Sequence, residues 1–185
     1  TDNKALSVHK LKNERVLLGR IDGLYEILEN KQSKLKIIGL GNEPIYSIFE
    51  NTDKSLLLGT NGIIYKIEND RVTNSFAVLK GLDSRVRNIF VDSQNNIWYN
   101  RWGTKDIYMI SNNITINISE KLGLKNASIS KIFCDRQGNV WIGTIGKGFY
   151  LFSNSYIFNY ISSDKIYASD VKKIIETTDN KMLLG

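Results

Sequence analysis

Histidine and cysteine each occur once in the 185 residues, as His9 and Cys134, and their scarcity removes several chemistries. A metal site built on histidine needs at least two imidazoles. A cysteine or serine nucleophile needs a paired base: Cys134 has no second histidine to draw on, and no G-x-S-x-G elbow is present. A lone thiol forms no internal disulfide, and its place in the apolar run ISKIFCD leads us to expect a buried thiol of little reactivity. No apolar run approaches the roughly 18 residues of a membrane span, so a soluble chain is expected. No leader of charged, apolar and then small residues opens the sequence, which puts any targeting signal outside it. P-loop and dinucleotide fingerprints are missing too. The 25 basic residues exceed the 19 acidic ones, but the lysines are scattered singly or in pairs such as Lys172-Lys173. Without a basic block interleaved with aromatics, nucleic acid is not an expected partner, although a general positive potential favours anionic ones. Asp83, Asp106, Asp164 and Asp170 fall in loops, and no spacing singles out two of them for acid–base chemistry.

What is present is a repeat. Leu17-Leu18-Gly19, Leu57-Leu58-Gly59, Trp98-Tyr99-Asn100, Trp141-Ile142-Gly143 and Leu183-Leu184-Gly185 recur at intervals of 40 to 43 residues. Upstream of the later four lie IYSIFEN, VRNIFVD, ISKIFCD and VKKIIET, each followed by a polar turn, most clearly DSQNN and DRQGN. Downstream, a glycine-marked turn leads to GLYEI, IIYKI, DIYMI and GFYLF, with Tyr25, Tyr65, Tyr108 and Tyr150 in register. A weaker fourth segment follows: KLKIIG, RVTNSF, ITINIS and YIFNYI. Alternation, β-branched and aromatic enrichment, and turns every 8 to 12 residues predict an all-β chain of short antiparallel strands. Four strands in about 40 to 45 residues is the size of a β-propeller blade. The expected architecture is a β-propeller segment of four four-stranded antiparallel blades (about 5–40, 45–80, 86–120 and 129–162) plus part of a fifth, 171–185. That count predicts an incomplete ring, since four and a half blades would leave sheet edges open.

The best copies, ISKIFCDRQGNVWIGTIGKGFYLF (129–152) and VRNIFVDSQNNIWYNRWGTKDIYMI (86–110), resemble the two-component regulator propeller repeat. The other copies are degenerate, with leucine in place of tryptophan. The resemblance implies a periplasmic sensor propeller of a hybrid two-component histidine kinase, with a membrane helix and kinase modules outside this segment. It also implies an oligosaccharide ligand and a non-enzymatic segment without cofactors. The remaining blades of the same chain are expected partners, a homodimer is a further one, and any membrane contact would run through other parts of the full-length protein.

Recurrence in register marks Trp98, Trp141 and the tyrosines as packing between blades. Asp92 and Asp135 are expected to cap their hairpin turns, and Gly59, Gly143 and Gly148 to serve turns and close packing. Function is then left to the loops. In a propeller, the turn between strands two and three shares a face with the blade-to-blade connection. Copy three replaces the glycine–threonine pair with Asn100-Arg101, adds Trp102, and lengthens that turn. This suits a ligand platform, a flat apolar face for a sugar ring beside a fork of donors. The candidate ligand residues are Arg101, Trp102, Arg20, Asn61, Arg85, Lys147 and Tyr167. Packing of Trp102 over its own blade is the alternative. Net positive charge favours an acidic glycan. Two rival functions are a protein-docking propeller and, needing clusters this segment lacks, a propeller lyase.

Overall fold

A computed structural model describes residues 4–29, 31–78, 83–119, 121–124, 127–153, 156–160, 171–179 and 181–185. Eighteen strands and no helix occur among them. The first sheet is β1 (Ser7–Lys10), β2 (Val16–Arg20), β3 (Gly23–Leu28) and β4 (Lys31–Lys34). The second is β5 (Ser47–Glu50), β6 (Leu56–Gly59), β7 (Ile63–Glu68) and β8 (Arg71–Ala77). The third holds β9 (Val86–Val91), β10 (Ile97–Arg101), β11 (Ile107–Ser111) and β12 (Ile114–Asn117). The fourth holds β13 (Ser128–Cys134), β14 (Val140–Ile145), β15 (Phe149–Ser153) and β16 (Tyr156–Tyr160). A two-stranded sheet, β17 (Ile174–Glu176) and β18 (Met182–Leu184), completes the set. Every sheet follows chain order, as blades of a propeller do. The chain divides into two compact units, residues 1–89 and 90–185, each described by itself.

One turn design joins the first two strands of each sheet. In the first four, an i→i+3 bond closes it, from Glu14 N to Leu11 O, Lys54 N to Asn51 O, Asn95 N to Asp92 O and Gly138 N to Asp135 O. The donor residue in each is left-handed, with φ of 71°, 68°, 63° and 85°. Only copy four puts glycine there, so the others accept a left-handed residue costing roughly 1–2 kcal/mol. At β7–β8 and β11–β12 the two central residues, Asn69-Asp70 and Asn112-Asn113, all have positive φ. That is the type I′ geometry matching strand twist, and Asn and Asp tolerate it best after glycine.

Where two tryptophans recur, the turn carboxylate holds them. Asp92 Oδ1 accepts from Gln94 N and Asn96 N (both 2.9 Å), and its Oδ2 from Asn96 Nδ2 (2.9 Å) and Trp98 Nε1 (2.8 Å). Asp135 repeats this arrangement with Gln137 N, Asn139 N, Asn139 Nδ2 and Trp141 Nε1 at 2.8–3.0 Å. Copies with leucine in the tryptophan place carry Leu11, Asn51 or Thr177 in the aspartate place, so the pair is present or absent together. Trp98 stacks on Phe90 at 5.4 Å and meets Phe152 of the fourth sheet at 6.0 Å. Trp141 packs on Phe149 and against the fifth-sheet cluster around Ile174.

The repeat glycine is where one sheet meets the next. A Cβ on Gly19 would collide with Ser7 Oγ and the Ile45 carbonyl; one on Gly59 would lie 2.9 Å from Ile89 Cδ1 and Val86 Cβ; one on Gly143 would lie 2.9 Å from Val171 Cγ1. A serine on the inner strand bonds the same oncoming backbone: Ser7 Oγ to Ile45 O (2.9 Å), Ser47 Oγ to Val86 O (2.8 Å), and Ser130 Oγ to Val171 O. Ile45 N, Val86 N and Val171 N answer with bonds to Arg20 O, Thr60 O and Thr144 O at 2.9–3.1 Å. In copy three Asn100 takes the glycine place and is fully buried. The following inner strand, β13, carries a bulge between Ile129 and Lys131.

One strand lies elsewhere than expected. The fourth strand of the first sheet is Lys31–Lys34, exposed along its whole length, rather than KLKIIG. Leu35, Ile37 and Leu40 instead pack into the core cluster with Leu11, Leu17, Leu24, Ile45, Leu58 and Ile67. Burial between two sheets removes more apolar surface from water than an outermost strand can.

Candidate functional site

The residue after each repeat glycine, or after Asn100, opens the turn between the second and third strands, and it takes one of two forms. Thr60 and Thr144 close the turn on themselves, each giving both its N–H and its hydroxyl to Ile63 O or Gly148 O at 2.6–3.0 Å. Arg20 and Arg101 turn onto the tyrosine of their own blade. Arg20 Cζ lies 4.4 Å above the Tyr25 ring centroid, and its Nη1 donates to Gln32 Oε1 (3.1 Å). Arg101 Cζ lies 5.3 Å from the Tyr108 centroid, and its Nη2 donates to the Tyr108 hydroxyl (3.0 Å). Tyr108 in turn donates to Asp106 Oδ2 (3.2 Å) and stacks on fully buried Tyr99 at 5.2 Å. Burial pushes the Tyr108 hydroxyl above its ordinary pKa.

In the first unit, Tyr25 donates to Asp22 Oδ2 (2.6 Å). That bond chiefly holds the Asp22 carboxyl below its ordinary value, helped by Lys34 and Arg20. Lys34 Nζ reaches Asn42 Oδ1 (2.8 Å), and Tyr65 donates to Glu43 Oε1 (2.9 Å). Asn61 and Arg85 are brought together by an antiparallel bridge, with Gly62 N bonding Ser84 O (3.0 Å). The Arg85 guanidinium pairs with Asp83 and lies 5.9 Å from the Tyr46 ring centroid. Ile45, next to Tyr46, donates its N–H to Arg20 O (3.0 Å).

In the second unit, Arg101 is 6% exposed and Trp102 is 48% exposed. Lys147 stands exposed at the tip of the β14–β15 turn, between Gly146 and Gly148, both at positive φ. Tyr167, like Lys125, Asn126, Asp164 and Asp170, lies outside the described residues. Arg101 thus gives one of its N–H groups to Tyr108, while the indole next to it is half exposed. Among the described residues no cluster of His, Cys, Asp or Glu could hold a metal ion.

Of the residues on these turns, Ile21 is the one that sequence reasoning missed. Ile21, Asn61, Trp102 and Ile145 occupy the same place in the repeat, two residues past the glycine position. Three of the four are exposed large apolar side chains, Ile21 at 59%, Trp102 at 48% and Ile145 at 50%. Counting two residues onward from each triplet's third member would have found the series.

A family model described as "Two component regulator propeller" matches residues 123–146. No curated protein matches the chain. Among solved structures, the extracellular domain of a putative hybrid two component system (BT4673) from B. thetaiotaomicron aligns at TM-score 0.68 with 18% identity. That alignment covers 95% of this chain and 25% of the other. A protein of unknown function from Bacteroides caccae aligns at 0.72 with 11% identity, over 100% of this chain and 71% of that one. Virginiamycin B lyase from Staphylococcus aureus aligns at 0.72 with 12% identity, over 100% and 64%. The chain thus spans a quarter of the length of the B. thetaiotaomicron domain. The fold is that of a β-propeller segment, and the residues 123–146 carry the regulator repeat.

Proposed function

We propose that this chain is part of the ligand-sensing propeller of an extracytoplasmic two-component regulator, without enzymatic activity of its own. Its ligand is an oligosaccharide bound at the turns between second and third strands, and occupancy is relayed to a histidine kinase carried elsewhere in the full-length protein. In a bacterium with two membranes that place is the periplasm. The carrying observation is Trp102, half exposed where the repeat otherwise puts isoleucine or asparagine. An indole offers the flat apolar face on which a sugar ring stacks, with an N–H at its edge for a hydroxyl. The Arg101–Tyr108 contact supports this arrangement from beneath, fixing the turn that carries the indole.

The test is titration of the full-length sensor with a panel of neutral and acidic oligosaccharides, beside Trp102→Ala. Saturable binding to one glycan class, weakened at least tenfold in the variant, is expected. Binding that the variant leaves unchanged removes Trp102 from the site.

Exposed Ile21 and Ile145 favour a second reading. Aliphatic apices give no stacking plane but do suit a protein partner or a second copy of the chain. In that case no glycan binds, and Ile145→Asp abolishes self-association or partner capture while leaving the fold intact.

A further inference from the structure

The second unit, which carries Trp102, sorts its charges by end. The turns between second and third strands stand at one end of its sheets, together with the segments that leave a fourth strand or enter a first. Among the described residues of this unit, that end holds Arg101, Lys105, Lys121, Lys147, Lys172 and Lys173 against Asp106 alone. The opposite end, with the turns between first and second strands, holds Asp92, Asp135, Glu176 and Asp179 against Arg136 and Lys181. Glu120, Asp164 and Asp170 lie outside the described residues, and the basic groups of the first end outnumber Asp106 and these three together.

At the opposite end the charges are satisfied locally. Asp92 and Asp135 take the turn and indole donors described above. Arg136 lies 3.6 Å from Glu176, and Lys181 lies 2.7 Å from Asp179. At the Trp102 end, the single described carboxylate, Asp106, accepts from the Tyr108 hydroxyl (3.2 Å). Lys105, Lys121, Lys172 and Lys173 are exposed and meet no carboxylate among the described residues. The Lys172 and Lys173 N–H groups bond Gly185 O (2.6 and 2.7 Å), so their side chains leave from a fixed backbone. Like charges gathered at one end repel and weaken the compact state, so folding by itself gives no reason for the arrangement.

Their distribution selects the form of the anion. Lys105 sits on the same turn as Trp102, Lys121 follows β12, Lys147 tips the β14–β15 turn, and Lys172-Lys173 precede β17. A single carboxylate meets only one or two of these ammonium groups, whereas a chain with charge on successive units meets several across three sheets. Lysine presents a point charge without the planar fork of arginine, and so accepts carboxylate and sulfate alike.

Resting on the reading of Trp102 as a sugar platform, we propose that the ligand of this face is a polyanionic oligosaccharide with a carboxylate or sulfate on successive rings. The indole carries one ring, and the lysines hold the charges of its neighbours. A surface of one sign also raises the local concentration of such a ligand and speeds its capture.

The test is calorimetric titration of the full-length protein with an oligogalacturonate, a sulfated heparin oligosaccharide, a neutral gluco-oligosaccharide of equal length and polyglutamate. The proteins are the parent, Trp102→Ala, Lys105→Gln, and Lys172→Gln combined with Lys173→Gln. Expected is saturable binding of an anionic sugar, at least tenfold tighter than the neutral one and weakened at least fivefold in either lysine variant. Which anionic sugar binds tells carboxylate from sulfate. Raising salt from about 50 to about 500 mM should weaken that binding at least tenfold, because exposed charges are screened. Equal binding of the neutral sugar, lost in Trp102→Ala, overturns the proposal and leaves the sugar platform standing. Equal binding of polyglutamate overturns it by reducing the face to a charge patch, and so does anionic binding that neither lysine variant weakens. No binding of any sugar removes the platform as well. Thermal melts of the lysine variants separate loss of binding from loss of fold.

Discussion

Substitution of Asp135 is the most searching test of how this fold holds itself together. Its two oxygens accept four bonds, from Gln137 N, Asn139 N, Asn139 Nδ2 and Trp141 Nε1, all at 2.8–3.0 Å, and the residue is 6% exposed. Hydrogen bonds to a charged acceptor contribute about 1.5–3 kcal/mol each in isolation. Four that share one carboxylate are not additive, so Asp135→Ala should cost about 3 kcal/mol. Asp135→Asn is the sharper variant. An amide keeps one acceptor oxygen and turns an NH2 toward donors, whether the two backbone N–H groups or the indole and Asn139, so it should cost about 2 kcal/mol. The molecule carries its own control, since copy two combines Asn51 with Leu57 at the equivalent places. Asp135→Asn with Trp141→Leu should therefore lose at least about 1 kcal/mol less than the sum of the single variants. Urea unfolding of the intact protein reads the totals, and hydrogen exchange at the Gln137 and Asn139 amides reads the turn itself. An Asp135→Asn variant within about 0.5 kcal/mol of the parent would refute the argument that an all-acceptor group is required.

Gly59→Ala forces a Cβ to within 2.9 Å of Val86 Cβ and Ile89 Cδ1 and should cost about 1–3 kcal/mol in urea unfolding. At Gly103, with φ of 67° and nothing within 4 Å, the same change should cost only the left-handed penalty, about 1 kcal/mol. Larger loss at Gly103 would contradict the packing argument. The Arg15 guanidinium, through its hydrogen bonds, holds buried Glu26 below its ordinary pKa despite desolvation. The resulting stability is fully present above the unfolded carboxylate value, about 4.3, and is lost as pH falls through the lowered folded value. Melting curves from pH 7 to 2 should therefore fall less steeply for Glu26→Gln than for the parent. Burial pushes the Cys134 thiol up to about 11, so iodoacetamide at pH 7.5 should label it slowly in the folded protein and rapidly in urea. Equal rates would place the thiolate in solvent.

Much of the scaffold was legible because it repeats. The tyrosines at 25, 65, 108 and 150 pair across the sheet with Leu18, Leu58, Tyr99 and Ile142, the middle members of the triplets. Period-2 alternation forces that register once one face is buried. The turn role of Asp92 and Asp135 was likewise readable from Asp, Asn and Gly spacing, although the indole as fourth donor was not. KLKIIG misled because an alternating apolar pattern marks burial without saying whether a strand or a linker is buried. For the candidate site, Trp102 stood out as a departure from the repeat. Ile21 did not, because isoleucine in a β chain reads as core until its exposure is seen.

The amino-acid sequence by itself determined the strand count per repeat, the order of strands in each sheet and the places of the tight turns. These depend on local sterics and on alternation between neighbours a few residues apart. Only the tertiary structure decided what the arginines do and why the glycines are there. Folding brings a tyrosine of the same blade beneath each of Arg20 and Arg101, a contact that the sequence does not announce. Gly19, Gly59 and Gly143 are required by a backbone 26 to 28 residues further along the chain, at Ile45, Val86 and Val171. Contacts over that distance come from packing one sheet on the next, and nothing in the local sequence specifies them.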